Sequence, residues 1–204
     1  MTKDPAAAFR AFWQRIPTAA LFGAAALIQL LLLAVMVSDR VQILRAGNEV
    51  KLQTRAVDPR DLLRGDYVTL GYDISQLPAG ALKDQPADAR NPIVFVKLAP
   101  KEDGLYEAIS VHTQAVAVQS GEVLIRGRVE YGATCGSKGN LLCEKLRLRY
   151  GLERYFVPEG EGRRLELLRN DHKLTVVAAV TPAGRAAIKR LLINGEPFYD
   201  EPLF

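Results

Sequence analysis

The chain changes its pattern of apolar and polar residues sharply at one point. Residues 18–37 (TAALFGAAALIQLLLLAVMV) carry no charge, and only Thr18 and Gln29 are clearly polar. At about 1.5 Å per residue, a helix of this length spans roughly 30 Å, the thickness of a bilayer's hydrocarbon core. The pattern predicts a transmembrane helix over 18–37, after a cytoplasmic segment 1–17. Residues 38–48 either continue this helix or form a short stalk.

Two other interpretations of the apolar segment fit less well. A cleaved secretory signal has a shorter apolar core, of about 7–15 residues, and small residues at its exit. Here the segment ends in Val35-Met36-Val37-Ser38-Asp39, which offers no good pair of small residues. A buried helix of a soluble core is seldom this long without a polar face. We therefore expect an uncleaved signal anchor.

The charges on either side of the anchor predict its orientation. Lys3, Arg10 and Arg15 precede it, whereas Arg40 and Arg45 follow it. Positive charge concentrates on the cytoplasmic side of membrane proteins. The N-terminus is therefore expected inside the cell, and the residues after the anchor outside the cytoplasm.

Residues 49–204 consist of short runs in which apolar and polar residues alternate, which is typical of strands. Asp103-Gly104 between two such runs indicates a hairpin. The fold class is therefore mainly β: an antiparallel β domain behind one N-terminal transmembrane helix. The predicted strands are 49–57, 66–74, 93–100, 106–113, 122–131, 144–157, 163–169 and 173–180.

Two pairs of segments resemble each other within this domain. LGYDI (70–74) is similar to LRYGL (148–152), and VFVKLAPKEDG is similar to VVAAVTPAG about 80 residues later. The similarity indicates either two duplicated β-rich halves, 49–120 and 121–204, or the ordinary likeness of alternating strands.

The stretch RGDYVTLGYDIS (64–75) admits three interpretations: an adhesion tripeptide, a catalytic Asp66, or a strand with a tight entry turn. Val68, Leu70, Tyr72 and Ile74 fall on one face at a period of two, as in a half-buried strand. Gly65 and Asp66 suit the turn that precedes it. No second carboxylate, histidine or metal set accompanies Asp66, so we favour the structural interpretation.

The fixed positions Gly65, Asp66, Tyr67, Leu70 and Tyr72 match the pattern Gly-Asp-Tyr-x-x-Leu-x-Tyr. In this motif, and in DPRDLLR before it and YGLERYFVPEGEG (150–162) after it, the chain resembles the bacterial GDYxxLxY protein family. The resemblance implies a membrane-anchored protein, often encoded beside multi-spanning membrane proteins. Together with the flanking charges, it predicts a single-pass protein of the bacterial inner membrane with a cytoplasmic N-terminus and a periplasmic domain. It supplies no established activity and therefore no catalytic residue.

The two cysteines, Cys135 and Cys143, are the only ones in the chain. Zinc normally needs four ligands, and the two histidines, His112 and His172, lie far away in sequence. The pair predicts a disulfide across a loop, with two free thiols as the alternative, and a disulfide would agree with an oxidising compartment. We expect no metal or cofactor. The net charge of +4 is too small to indicate nucleic-acid binding.

Basic residues recur on one face of two neighbouring predicted strands. If the strands pair, the five side chains form a basic face that attracts lipid headgroups or an acidic partner; the alternative is a solvated outer surface. These residues are Arg126, Arg128, Lys145, Arg147 and Arg149.

The sequence therefore predicts a non-enzymatic accessory or scaffold subunit that docks onto a multi-spanning membrane protein. The aromatic tail GEPFYDEPLF (195–204) supports docking unless it folds back onto its own domain. The alternative is an envelope sensor or hydrolase. One such hydrolase is a signal-peptidase-like enzyme, with Ser38 as nucleophile and Lys97 as base.

Overall fold

The computed structural model describes residues 17–56, 67–84, 93–131, 145–157 and 161–200. The chain forms two compact units, Met1–Val41 and Gln42–Phe204. The first contains most of one long helix, and the second, which we call the β domain, contains all of the described strands.

Helix α1 (Thr18–Ala46) is continuous through most of the segment predicted as a stalk. The side chains of residues 18–38 are exposed on every face. Thr18–Arg45 is long and apolar enough to cross a membrane, a test that a signal sequence near the N-terminus also passes. The helix is therefore compatible with a single membrane span.

The last turn of α1 belongs to the β domain. Ile43 and Leu44 are buried and pack against Ala187. Gly47 then separates the helix from the first strand, and a Cβ there would lie 2.7 Å from the Val180 nitrogen. Only glycine fits this approach of two backbones, so the helix ends at Ala46 and the chain turns into β1 at a closely packed position.

The described part of the β domain contains one further helix, α2 (Gly162–Asn170), and short strands throughout. The strands are β1 (Asn48–Arg55), β2 (Tyr67–Thr69), β3 (Gly71–Tyr72), β4 (Gln76–Pro78), β5 (Ile93–Pro100), β6 (Tyr106–His112), β7 (Val123–Tyr131), β8 (Lys145–Arg149), β9 (Arg154–Phe156), β10 (Leu174–Val180), β11 (Ala186–Ile193) and β12 (Glu196–Asp200).

These strands form two five-stranded sheets and a two-stranded ribbon. The first sheet has the order β12-β11-β10-β1-β3, the second has the order β4-β8-β7-β5-β6, and β2 pairs with β9 in the ribbon. Every pairing between the strands is antiparallel. The predicted fold class, an antiparallel β domain behind an apolar helix, is confirmed.

The two large sheets are built alike. The order β11-β10-β1-β3 in the first corresponds to β6-β5-β7-β8 in the second. Strands β1 to β6 precede residue 121 and strands β7 to β12 follow it, so each sheet joins a hairpin from one half of the chain to a strand pair from the other. Each half of the chain thus contributes strands to both sheets, and the strands of the two halves are arranged in corresponding order.

One hydrophobic core lies between the sheets. Its buried side chains come from both sheets, from the ribbon and from Leu165 of α2. Val68, Leu70, Tyr72 and Ile74 are all buried, as their period of two predicted. The backbone here is not one strand, however, because it breaks after Thr69 and turns through a 3-10 segment at Asp73–Ser75.

The prediction of a strand over 163–169 is wrong, since these residues lie in α2. Leu165 and Arg169 are buried while Leu167 is exposed, and the spacing of the buried positions is that of a helix. The predicted strand 144–157 is interrupted between Arg149 and Arg154. The hairpin turn between β10 and β11 contains Ala183-Gly184, and Gly184 has a φ of 79°.

The described part of the aromatic tail folds back onto the β domain. Residues Glu196–Asp200 pair with β11 as an edge strand. The Tyr199 ring meets the Tyr155 ring edge-on, with 5.9 Å between their centroids. The tail therefore gives less support to docking than its sequence suggests.

Candidate functional site

The family signature begins outside the described residues, which contain its Tyr67, Leu70 and Tyr72 but neither Gly65 nor Asp66. Leu70 is buried, and its N–H donates a 2.8 Å hydrogen bond to the Glu153 carbonyl. Tyr72 is fully buried, and its hydroxyl donates a 2.6 Å bond to the Leu152 carbonyl. Both residues thus bind the signature to the loop between β8 and β9.

A second tyrosine makes the reciprocal bond. The Tyr150 hydroxyl donates to the Ile74 carbonyl at 2.6 Å. Tyr72 and Tyr150 occupy the same position in the similar segments LGYDI and LRYGL, and each bonds to the residue two places beyond the other. The two phenols therefore cross-link these segments across the core.

Both phenols are held in the neutral, donating form. Burial raises the pKa of Tyr72 and of Tyr150 well above the ordinary tyrosine value, and the charge of Glu153 raises each further. A neutral, buried donor suits a structural cross-link, whereas a catalytic base at neutral pH requires a lowered pKa.

Glu153 shapes the loop that receives these bonds. Its carboxylate accepts from the backbone N–H groups of Tyr150 at 2.5 Å and Gly151 at 3.0 Å. Gly151 has a φ of 79°, a conformation that glycine adopts without strain. The sequence analysis did not identify Glu153 or Gly151, although the similarity of LRYGL to the signature strand pointed to this loop.

Arg169 supports the signature strand from α2. The side chain is almost completely buried. Its guanidinium donates to the carbonyl of Thr69, inside the signature, and to the Asn170 side chain. Burial lowers the pKa of Arg169. The sequence analysis missed this residue because it placed 163–169 in a strand.

Tyr67 is partly buried and lies outside the hydrophobic core cluster. It is directly opposite Phe156 in the ribbon, with 6.2 Å between ring centroids, and the Arg154 guanidinium lies 5.7 Å from the Tyr67 ring. Phe156 is 78% exposed. We call Tyr67, Arg154 and Phe156 the ribbon face.

The five predicted basic residues share the exposed face of β7 and β8. The strands pair with Arg128 opposite Arg149, and all five side chains are exposed. Arg149 forms a 2.6 Å ion pair with Glu130. Within the described part of the chain, the other four have no acidic partner. The geometry of the basic face is as expected, and its binding role stays a prediction.

A groove of about 620 Å³ separates part of this face from the signature strand. It lies between Arg55 at the end of β1 and Arg147 on β8, and Leu70 and Gly71 contribute to its wall. A shallower groove of about 410 Å³ follows, lined by Arg126, Arg128, Arg149 and neighbouring residues. The larger groove is thus the concave surface nearest the described signature residues.

The remaining predicted residues give no chemical centre. Cys135 and Cys143 lie outside the described residues, so the predicted disulfide stays a prediction. The Ser38 hydroxyl donates to the Val35 carbonyl at 2.9 Å. Lys97 forms a 2.6 Å ion pair with Glu122. Both groups of the signal-peptidase-like alternative are thus engaged with neighbours.

The fold and the site define a class of protein: an antiparallel β domain that follows an apolar helix, with a signature strand cross-linked to the loop after β8. Within that class the chain belongs to the GDYXXLXY protein family, whose family model matches residues 29–191. Neither a search of curated proteins nor a search of solved structures found a significant match.

Proposed function

We propose that this protein is a membrane-anchored, non-enzymatic accessory subunit whose β domain lies in the periplasm and docks onto a multi-spanning membrane protein. The observation that carries the proposal is α1, which exposes apolar side chains over residues 18–38 and is followed by β1 after one residue. A helix that is apolar on all sides needs lipid or other helices around it. The start of the β domain is therefore held at the membrane surface.

The ribbon face supports docking. Exposed aromatic residues next to arginine are the composition that dominates binding energy at protein interfaces. Phe156 presents an exposed ring, and beside it the Arg154 guanidinium lies over the ring of the partly buried Tyr67. A partner that covers this face removes the Phe156 ring from water.

The orientation is tested with reporter fusions at the C-terminus and after residue 56. At both positions we expect an alkaline phosphatase fusion to be active, because this enzyme folds only outside the cytoplasm. A green fluorescent protein fusion should not fluoresce at either position. A fusion before residue 18 should give the opposite pattern. Fluorescent protein that is bright after residue 56 would contradict the periplasmic location and the predicted disulfide together.

Docking is tested by replacing Phe156 with Ser in the tagged full-length protein. We expect wild type, purified in mild detergent, to bring down one polytopic membrane protein in stoichiometric amount, and Phe156→Ser to lose most of it. An exposed ring contributes little to the stability of the fold, so the free energy of unfolding should change by less than about 0.5 kcal/mol.

Ile109→Ser is the matched control, because Ile109 is a 44% exposed apolar residue on β6. This variant should retain the partner. Equal recovery with Phe156→Ser and wild type would exclude the ribbon face as the docking surface. A lone monomer from wild type would contradict the accessory role itself.

A further inference from the structure

The larger groove lies where the chain passes from one sheet to the other. Gly71 in β3 pairs with Arg55 in the first sheet, and Gln76 in β4 pairs with Arg147 in the second. Only the 3-10 segment Asp73–Ser75 and Tyr72 lie between these two positions. The crossing therefore brings Arg55 and Arg147, which are remote in sequence, to opposite walls of one groove.

The two arginines are the uncompensated charges of this groove. Among the described residues, neither Arg55 nor Arg147 has an ion-pair or hydrogen-bond partner for its guanidinium. The two carboxylates of the groove are already used: Glu130 pairs with Arg149, and Glu153 accepts backbone N–H groups. Among the residues that the structure describes, the groove thus offers two guanidinium groups without a partner and no carboxylate without one.

A buried hydroxyl in the same wall lacks a partner. The Ser75 Oγ is inaccessible to solvent and has no hydrogen-bond partner among the described residues. A buried polar group without a partner is unfavourable, and in native structures it commonly contacts a ligand or an ordered water. Ser75 lines the same groove as Arg55 and Arg147, which marks this wall as a place where the described part of the chain leaves a polar group unsatisfied.

We propose that this groove binds a phosphate group. Guanidinium groups match the geometry and charge of phosphate oxygens, and two of them line this groove. A volume of about 620 Å³ exceeds a free phosphate and lies in the range of small-molecule sites. The phosphate therefore belongs to a larger molecule, either a soluble phosphate ester or a phospholipid headgroup. The site does not depend on the accessory role proposed above.

The test uses the full-length protein in a neutral detergent and phosphate-free buffer. Isothermal titration calorimetry is carried out with glycerol 3-phosphate for the soluble source and with dihexanoyl-phosphatidylglycerol for the lipid source. Acetate at the same ionic strength is the anion control. We expect saturable binding of at least one phosphate probe, about tenfold or more weaker in Arg55→Gln and in Arg147→Gln.

Arg126→Gln is the matched control, because Arg126 lies on the same exposed face but does not line the larger groove. It should change the affinity by less than about twofold. Thermal midpoints equal to that of wild type verify that each variant folds. Binding of the soluble probe only, or of the lipid probe only, identifies the source.

Three results would overturn the proposal. They are no saturable binding of either phosphate probe to wild type, equal weakening by Arg126→Gln and Arg147→Gln, and acetate binding as tight as phosphate. The second would assign the attraction to the general charge of the basic face.

Discussion

Replacing Tyr72 with Ala is expected to lower the free energy of unfolding of the β domain by about 3–5 kcal/mol. The fully buried ring fills the core between the sheets, and its loss leaves a cavity. It also leaves the Leu152 carbonyl without its donor. Urea denaturation of the full-length protein in mild detergent, followed by near-ultraviolet circular dichroism of the tyrosines, measures the effect.

Tyr72→Phe separates the hydroxyl from the ring. We expect a loss of about 1–2 kcal/mol, since a buried carbonyl loses its partner while packing is kept. Tyr150→Phe should cost a similar amount. The double variant should cost less than the sum of the two, because both phenols join the same segments. Strict additivity would show that the two bonds are independent.

The fall in the free energy of unfolding at high pH provides a second measure of the hydrogen bonds made by Tyr72 and Tyr150. The pKa of both phenols is raised in the folded state, so their contribution is fully present below the ordinary tyrosine pKa of about 10. It is lost as the pH rises above that value. Removing both hydroxyls should therefore flatten the fall in stability above about pH 10.

Arg169→Ala is expected to lower the free energy of unfolding by about 2–4 kcal/mol. The buried side chain packs α2 against the sheet, and its guanidinium satisfies the Thr69 carbonyl. Arg169→Lys keeps one charged donor but cannot reach both Thr69 and Asn170, so it should fall between wild type and Ala. The same urea titration measures both variants.

The control for Arg169 is Arg164→Ala on the same helix. Arg164 is exposed, and its contacts are a 3.5 Å ion pair with Glu161 and the Phe198 ring. Exposed contacts of this kind contribute little, so the change should stay within about 0.5 kcal/mol. A loss as large for Arg164→Ala as for Arg169→Ala would refute the specific support of the signature strand.

Three features were predictable from sequence: the apolar helix, the antiparallel β class and the buried side chains of the signature segment, residues 67–74. Each depends on a periodic pattern of side chains, and a pattern of this kind is local. Val68, Leu70, Tyr72 and Ile74 alternate with polar residues and glycine, and all four are buried. The exposure of the basic residues of β7 and β8 on one face of each strand followed for the same reason.

The support of the signature strand was not predictable from pattern alone. Tyr72 meets Leu152, and Arg169 meets Thr69, through contacts between residues 80 and 100 positions apart in sequence. Such contacts depend on the order of strands in the sheets. The short run Arg163–Arg169 gave too few residues to separate a helical period from a strand period. The duplication of the two halves stays a prediction, to which the matching strand orders now give a topological argument.

The groove between Arg55 and Arg147 shows the same limit. Arg147 was identified by its neighbours on β8, whereas Arg55 and Ser75 had no distinguishing local pattern. They meet Arg147 only because the chain crosses between sheets at residues 72–75. A binding site whose residues are brought together where the chain passes between two sheets can be identified only when the sheet topology is known.

The exchange of strands between the halves has a consequence for biogenesis. Strand β1 is synthesised soon after α1, but its partner β10 comes far later, with Val50 opposite Ala178. The nascent chain therefore leaves the ribosome with an open edge on β1. All strands of the second sheet have been made once β8 is made, whereas the first sheet waits for β10, β11 and β12. Pairing over such separations is slow and leaves aggregation-prone edges exposed. A product that ends before residue 174 lacks β10, so β1 has no partner on that edge and the first sheet cannot form.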